Sequence, residues 1–219
     1  MQTLLLNTRK TTENGIVVGN VFDKYGSSNP IVKRLMHGYT RSLDDFVRKA
    51  NPKDIHEIGC GEGHWVLRWN KMGIPARGSD VSTMVINHAR VLGANSSLDS
   101  DTFVVKDIAE MGSSEDGAHL IVCCEVLEHL QDPAAALEIL AKITESHCIL
   151  SVPNEPLWRI LNILRGSYLT RLGNTPGHIN HWSREGFIRL VSKYFAVVDM
   201  RSPLPWTMLL CKPMKRRFD

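Results

Sequence analysis

Apolar and polar positions switch between two periods along this chain, and each switch marks an element. Asp54–Ile58 ends in a short apolar run that predicts a strand. From Glu62 to Met72 the apolar residues Trp65, Val66, Trp69 and Met72 recur at helix spacing. Ile74–Gly78 predicts a second strand, and Ser82 caps a helix through about Leu92. Thr102–Val105 predicts a third strand. His119–Cys124 continues into an unbroken apolar run, the pattern of a central strand buried on both faces. Pro133 opens a helix to about Ile143, and Cys148–Val152 predicts a fifth strand. Ser183, followed by Glu185 and Gly186, starts another helix. Phe195–Met200 and Trp206–Cys211 read as a closing strand pair. Strands and helices in alternation argue for an α/β fold, a parallel sheet with helices on both faces. Phe22 to Ala50 precedes the first strand and reads as mostly helical.

Length and composition agree with one domain. A chain of 219 residues buries a sizeable α/β core, so residues 1–219 are expected to form a single unit. Apolar content of 43% and charged content of 22% are ordinary globular values. The net charge of +3 is too small to indicate a nucleic-acid partner by itself. Positive charge gathers in Lys212, Lys215, Arg216 and Arg217, which read as a solvated terminus. The five cysteines contain no C-x-x-C pair. Cys123 and Cys124 sit in the apolar run and read as buried thiols, which suits a reducing, cytoplasmic compartment. Leu4-Leu5-Leu6 is too short for a signal-peptide core, and no apolar run approaches a membrane span.

The chemistry starts at Glu57-Ile58-Gly59-Cys60-Gly61-Glu62-Gly63, an acid and three glycines between a strand and a helix start. Such a turn exposes main-chain N–H groups without a Cβ in the way. A strand, a glycine turn and a helix start form a ligand-binding corner of an open α/β sheet. The spacing is E-x-G-x-G-x-G rather than the dinucleotide G-x-G-x-x-G, and the P-loop lysine is absent. Asp80, in Gly78-Ser79-Asp80-Val81, lies 23 residues beyond Glu57 at the end of the second strand. A carboxylate there can accept hydrogen bonds from both hydroxyls of a ribose. Asp107 follows the third strand, where its carboxylate can accept from an adenine amino group and the N–H of Ile108 can donate to the ring. The fourth strand ends at Cys124-Glu125, on the edge such a ligand would cross.

In this order, Glu57-x-Gly59-x-Gly61-x-Gly63, Asp80, Asp107-Ile108, Glu125-Val126-Leu127-Glu128-His129-Leu130 and Ser151-Val152-Pro153-Asn154 resemble the class I S-adenosylmethionine-dependent methyltransferases. The group in question is the one containing the ubiquinone-biosynthesis O-methyltransferases. The match spans roughly residues 54–155. It implies a Rossmann-like sheet of seven mostly parallel strands with an antiparallel last strand. It implies S-adenosylmethionine as cofactor and methyl transfer as reaction. It assigns cofactor contacts to Glu57, Gly59, Gly61, Gly63, Asp80, Val81, Asp107, Ile108 and Cys124, with Tyr25 reaching in from the N-terminal segment.

Glu125, Glu128 and His129 stand at i, i+3 and i+4, so a helix starting after the fourth strand would set them on one face. Two carboxylates and an imidazole could hold a divalent cation. His129, with Glu128, could instead deprotonate an acceptor hydroxyl. A polar helix start with no chemistry is the third reading. The resemblance implies Mg²⁺ at a similar Glu-x-x-Glu-His, with a further distal histidine in the small-RNA 2′-O-methyltransferases. Gly177-His178-Ile179-Asn180-His181 supplies two distal candidates, His178 and His181. Residues 155–182 form a long insert expected to build the acceptor site, with residues 1–53 as an opposing helical lid. The insert alternates apolar residues with Arg159, Arg165 and Arg171, a pattern that also suits peripheral membrane contact. The expected acceptor is a hydroxyl or amine of a small molecule: a quinone, sugar, lipid-linked or secondary metabolite. A metal-dependent RNA 2′-O-methyltransferase is the alternative. The low net charge and the lack of a basic stripe with interleaved aromatics weigh against it.

Overall fold

The computed structural model describes residues 12–13, 16–17, 27–112, 114–164, 166 and 168–214. Phe22, Tyr25, Lys215, Arg216 and Arg217 lie outside them. Thr12–Glu13 and Ile16–Val17 pair as a small antiparallel hairpin. Seven further strands form one sheet: β1 Ile55–Ile58, β2 Ala76–Asp80, β3 Phe103–Val105, β4 Ala118–Cys124, β5 Thr144–Pro153, β6 Phe195–Arg201 and β7 Trp206–Pro213. Their order across the sheet is β3-β2-β1-β4-β5-β7-β6. The first five run parallel, and β7 is antiparallel to both of its neighbours, β5 and β6. This is the topology expected from the sequence.

Among the described residues the α-helices are α1 Pro30–Ala50, α2 His64–Lys71, α3 Thr83–Ala94, α4 Pro133–Ile143, α5 Leu157–Leu164 and α6 Arg184–Val191. The period-2 alternation of the strands divides the core. Leu120 and Val122 of β4 face the α1–α2–α3 side with Phe46, Trp69 and Phe103. Ile121 and Cys123 face the α4–α6 side with Leu137, Leu140 and Phe187. Helix α1 begins where Asn29 Oδ1 accepts the Ile31 N–H at 2.9 Å and Pro30 fills the first turn. Its Leu43 and Phe46 are fully buried against the sheet. Residues 30–50, within the segment expected as a lid, pack their apolar face into the core on this side of the sheet. Among the described residues, no helix is long and apolar enough to cross a membrane.

One strand starts later than its sequence pattern indicates. Ile74 closes the turn that follows α2, its N–H donating to the Trp69 carbonyl at 3.0 Å, so β2 begins at Ala76 and carries Asp80 as its last residue.

A buried histidine ties β1 to β2 and sets a pH response. His56 Nδ1–H donates to the Asp116 carbonyl at 2.8 Å, so its Nε2 accepts from the Ser79 hydroxyl at 3.0 Å. Burial, more than any neighbouring charge, pulls its pKa down to about 4. Unfolded, the ring takes a proton near 6.5; folded, it stays neutral down to about 4. Its contribution to stability is complete above pH 6.5 and is lost as the pH falls from there to 4, a change of about 3 kcal/mol. Urea unfolding across that range should show this loss in the native chain and a flatter profile in His56→Asn. Parallel profiles would contradict it.

Candidate active site

Three glycines follow β1 in left-handed conformations: Gly59 at φ 77°, Gly61 at φ 52° and Gly63 at φ 78°. Their surroundings separate them. A Cβ on Gly59 would sit 2.3 Å from Val126 Cγ2, and one on Gly63 would sit 2.5 Å from the Phe103 ring. Those two glycines permit close internal packing. A Cβ on Gly61 would meet nothing within 4 Å. Gly61 alone turns its bare backbone toward open space, where a ligand can approach it.

Asp80 holds this turn in shape. One carboxylate oxygen accepts the Gly61 N–H and the other accepts the Ser82 N–H, each at 3.0 Å. A carboxylate has about four acceptor positions, so the group that shapes the loop can also receive a diol. Val81 follows it with an exposed apolar side chain. Beyond β3, Asp107 is exposed and its Oδ1 accepts the Ala109 N–H at 2.9 Å, opening a short turn that buries Ile108. Glu57 is buried in β1. Cys124 ends β4 half-buried, and burial pushes its thiol up to about 12, which keeps it a neutral thiol. Open space at Gly61, the Asp80 acceptors and the apolar Val81 fit a nucleoside laid along the carboxyl ends of β1 and β2.

The helix expected to align Glu125, Glu128 and His129 does not form. Glu125 takes φ 61°, a left-handed value, and only a 3-10 turn follows at Leu127–His129. Burial of Leu127 in the core turns the chain inward there. Glu125 points away from the other two, its carboxylate accepting the Trp206 Nε1–H at 2.6 Å and the Ser151 hydroxyl at 3.2 Å. Glu128 and His129 instead meet His178. One ligand atom from each lies within 4.8 Å of the others. The His129 and His178 rings are 4.9 Å apart, edge to face.

The insert builds this cluster. His129 Nδ1–H donates to the Gly177 carbonyl at 2.9 Å, which puts the ring's lone pair on Nε2. Glu128's carbonyl accepts the N–H groups of Ile179 and Asn180 at 3.0 and 3.1 Å. The Asn180 amide donates to the carbonyls of Leu130 at 2.6 Å and Leu127 at 3.3 Å. Burial pulls His178 down to about 3, with His129 and His181 adding to the effect, so its imidazole is neutral and able to serve as a ligand. His181 is exposed and turns elsewhere, its Nδ1 3.5 Å from Glu155 Oε1.

Aromatic rings adjoin the cluster. Trp158, on α5, stacks on His178 at 5.8 Å and lies 5.7 Å from Trp206. Tyr39, on α1, packs against Trp206 at 5.0 Å and shares a 2.9 Å hydrogen bond with the Ser151 hydroxyl. Trp182 turns inward against Phe187 instead. Tyr39, Ser151, Trp206, Gly177 and Asn180 were not singled out for these contacts from the sequence. Their roles come from strand register and loop crossing, which leave no local spacing signal.

The sequence model of a family described as a methyltransferase domain matches residues 32–198. A ubiquinone biosynthesis O-methyltransferase from Alkalilimnicola ehrlichii is 28% identical over 153 residues, covering 63% of this chain and 61% of the relative. One from Xanthomonas oryzae pv. oryzae is 26% identical over 122 residues, covering 54% of this chain and 51% of its own. The chain thus spans about half to three-fifths of the length of these curated relatives. Among solved structures, magnesium protoporphyrin IX methyltransferase from Synechocystis PCC 6803 with bound SAH superimposes with a TM-score of 0.64 at 19% identity, covering 86% of this chain and 90% of that one.

Proposed function

We propose that this chain, which belongs to the methyltransferase-domain family, transfers a methyl group from S-adenosylmethionine to a hydroxyl of a small aromatic acceptor. The observation that carries the acceptor reading is the Glu128–His129–His178 cluster beside Trp158 and Trp206. A proton-accepting or metal-binding group next to flat apolar walls suits a phenolic hydroxyl. The names of the curated relatives favour this over the RNA 2′-O-methyltransferase alternative.

Gly61, Asp80, Val81, Asp107 and Ile108 would hold the nucleoside part of S-adenosylmethionine. When bound, the cofactor supplies an electrophilic methyl on a sulfonium, a good leaving group. The protein's remaining tasks are positioning and proton removal. Trp158 and Trp206 orient the acceptor ring. His129 Nε2 takes the hydroxyl proton; were a divalent cation bound, Glu128, His129 and His178 would hold it and it would supply Lewis-acid assistance to that deprotonation. Two imidazoles and one carboxylate suit a borderline ion such as Mn²⁺ or Zn²⁺ better than Mg²⁺, which prefers oxygen donors. Glu125 and His181 fall outside this set and act, where they act, by holding β7 and the insert in place. The insert's outer face exposes Ile160, Ile163, Leu164, Leu169 and Leu172, a surface suited to peripheral contact with a bilayer that carries an apolar acceptor.

Supplying S-adenosylmethionine with catechol-type quinols, amines and RNA oligonucleotides tests the reading. The expected product is a mono-O-methylated quinol, formed faster when the quinol is embedded in vesicles. Methylated RNA with no small-molecule product would overturn it.

A further inference from the structure

We propose that a second pocket, between α1 and α2, binds an anionic head group through Lys33, His37, His64 and Arg68. The pocket has a volume of about 230 Å³. That is below the roughly 300–1,000 Å³ of sites that enclose whole drug-sized ligands, and it fits a phosphate or carboxylate group. Two helical pairs face each other across it. Lys33 and His37 stand at i and i+4 on α1, and His64 and Arg68 at i and i+4 on α2. Thr40, one turn further along α1, adds a hydroxyl. The floor is apolar, made by the buried Met36 and Trp65.

The charge balance favours an anion. Among the described residues that line the pocket there is no carboxylate. Asp44, just beyond it, pairs with one guanidinium nitrogen of Arg68 at 2.6 Å and holds that side chain against the Trp65 ring. Arginine has five donors, so the pairing positions the group without exhausting it. Lys33 makes no ion pair among the described residues. His64 opens α2, where the helix dipole adds positive potential. An ammonium, a guanidinium, two imidazoles and a hydroxyl over an aromatic floor form a chemically coherent receptor for an acidic head group.

This site shares no lining residue with the Glu128–His129–His178 cluster, and the proposal does not depend on the identity of the methyl acceptor. Its occupant is a small-molecule anion other than the methyl donor. The test is a titration of the whole chain with inorganic phosphate, and in parallel with benzoate, at constant ionic strength held by sodium chloride. The readout is the His64 imidazole proton signal. One of the two anions should shift it saturably where chloride does not, and the tighter one identifies the head group. Lys33→Gln/His37→Gln, changed only at exposed positions, should weaken that binding about tenfold or more. Its affinity for S-adenosylmethionine should stay at the native value. Non-saturable shifts with both anions, or unchanged binding in the variant, would overturn the proposal. So would an equal loss of S-adenosylmethionine affinity, which would make the pocket part of the donor site.

Discussion

His129→Ala should lower kcat by about two to four orders of magnitude while leaving S-adenosylmethionine affinity unchanged. The expectation follows from where the ring sits. Its Nδ1–H is held by the Gly177 carbonyl at 2.9 Å, so Nε2 presents a lone pair toward Glu128 and His178. As a base, that nitrogen removes the hydroxyl proton; as a ligand, it anchors a cation that does the same work electrostatically. Both roles act on the acceptor and neither touches the donor. Chelation separates them. If a cation is held, excess EDTA should abolish turnover, added Mn²⁺ or Zn²⁺ should restore it, and Glu128→Gln should raise the metal concentration needed. Full activity in EDTA would remove the metal and leave His129 as the base. Native kcat in His129→Ala would refute both roles.

Much of the fold was legible because its signals are local. The unbroken apolar run into Cys124, the Ser82 cap, the Pro133 helix start and the glycine turn each act within a few residues. Asp80 was legible too, since the strand-to-helix corner fixes where a carboxylate must stand. The Glu125–His129 segment was less so. Periodicity put Glu125, Glu128 and His129 on one helix face, but a left-handed residue at Glu125 and the inward turn of Leu127 broke that helix. His178 was named as a distal candidate, yet nothing in its spacing distinguished it from His181. Asn180 decides between them by clamping the Leu127 and Leu130 carbonyls, which leaves His178 facing the cluster and His181 facing Glu155. That is a long-range contact, and sequence periodicity carries no record of it. The three glycines look equivalent in sequence and differ only in what lies beyond each Cα.

Asp80→Asn and Gly61→Val should both weaken S-adenosylmethionine binding, for different reasons. Asp80 already accepts the N–H groups of Gly61 and Ser82, one on each oxygen. Asparagine keeps one oxygen, so one of those N–H groups faces an amide that cannot accept, and a diol meets half the acceptor capacity and no charge. Losing a charge-assisted hydrogen bond costs about 1.5–3 kcal/mol, or roughly tenfold to a hundredfold in affinity. Valine at position 61 would put a branched side chain into the one open space along the turn, at a backbone φ of 52° that β-branched residues avoid. Circular dichroism and a thermal midpoint would confirm that each variant folds. Calorimetric titration of S-adenosylmethionine into the native chain and both variants then tests the cofactor site directly. The account predicts binding at around micromolar strength, about −8 kcal/mol, in the native chain and at least about tenfold weaker binding in each folded variant. No measurable binding to the native chain, or the same affinity in all three proteins, would contradict it.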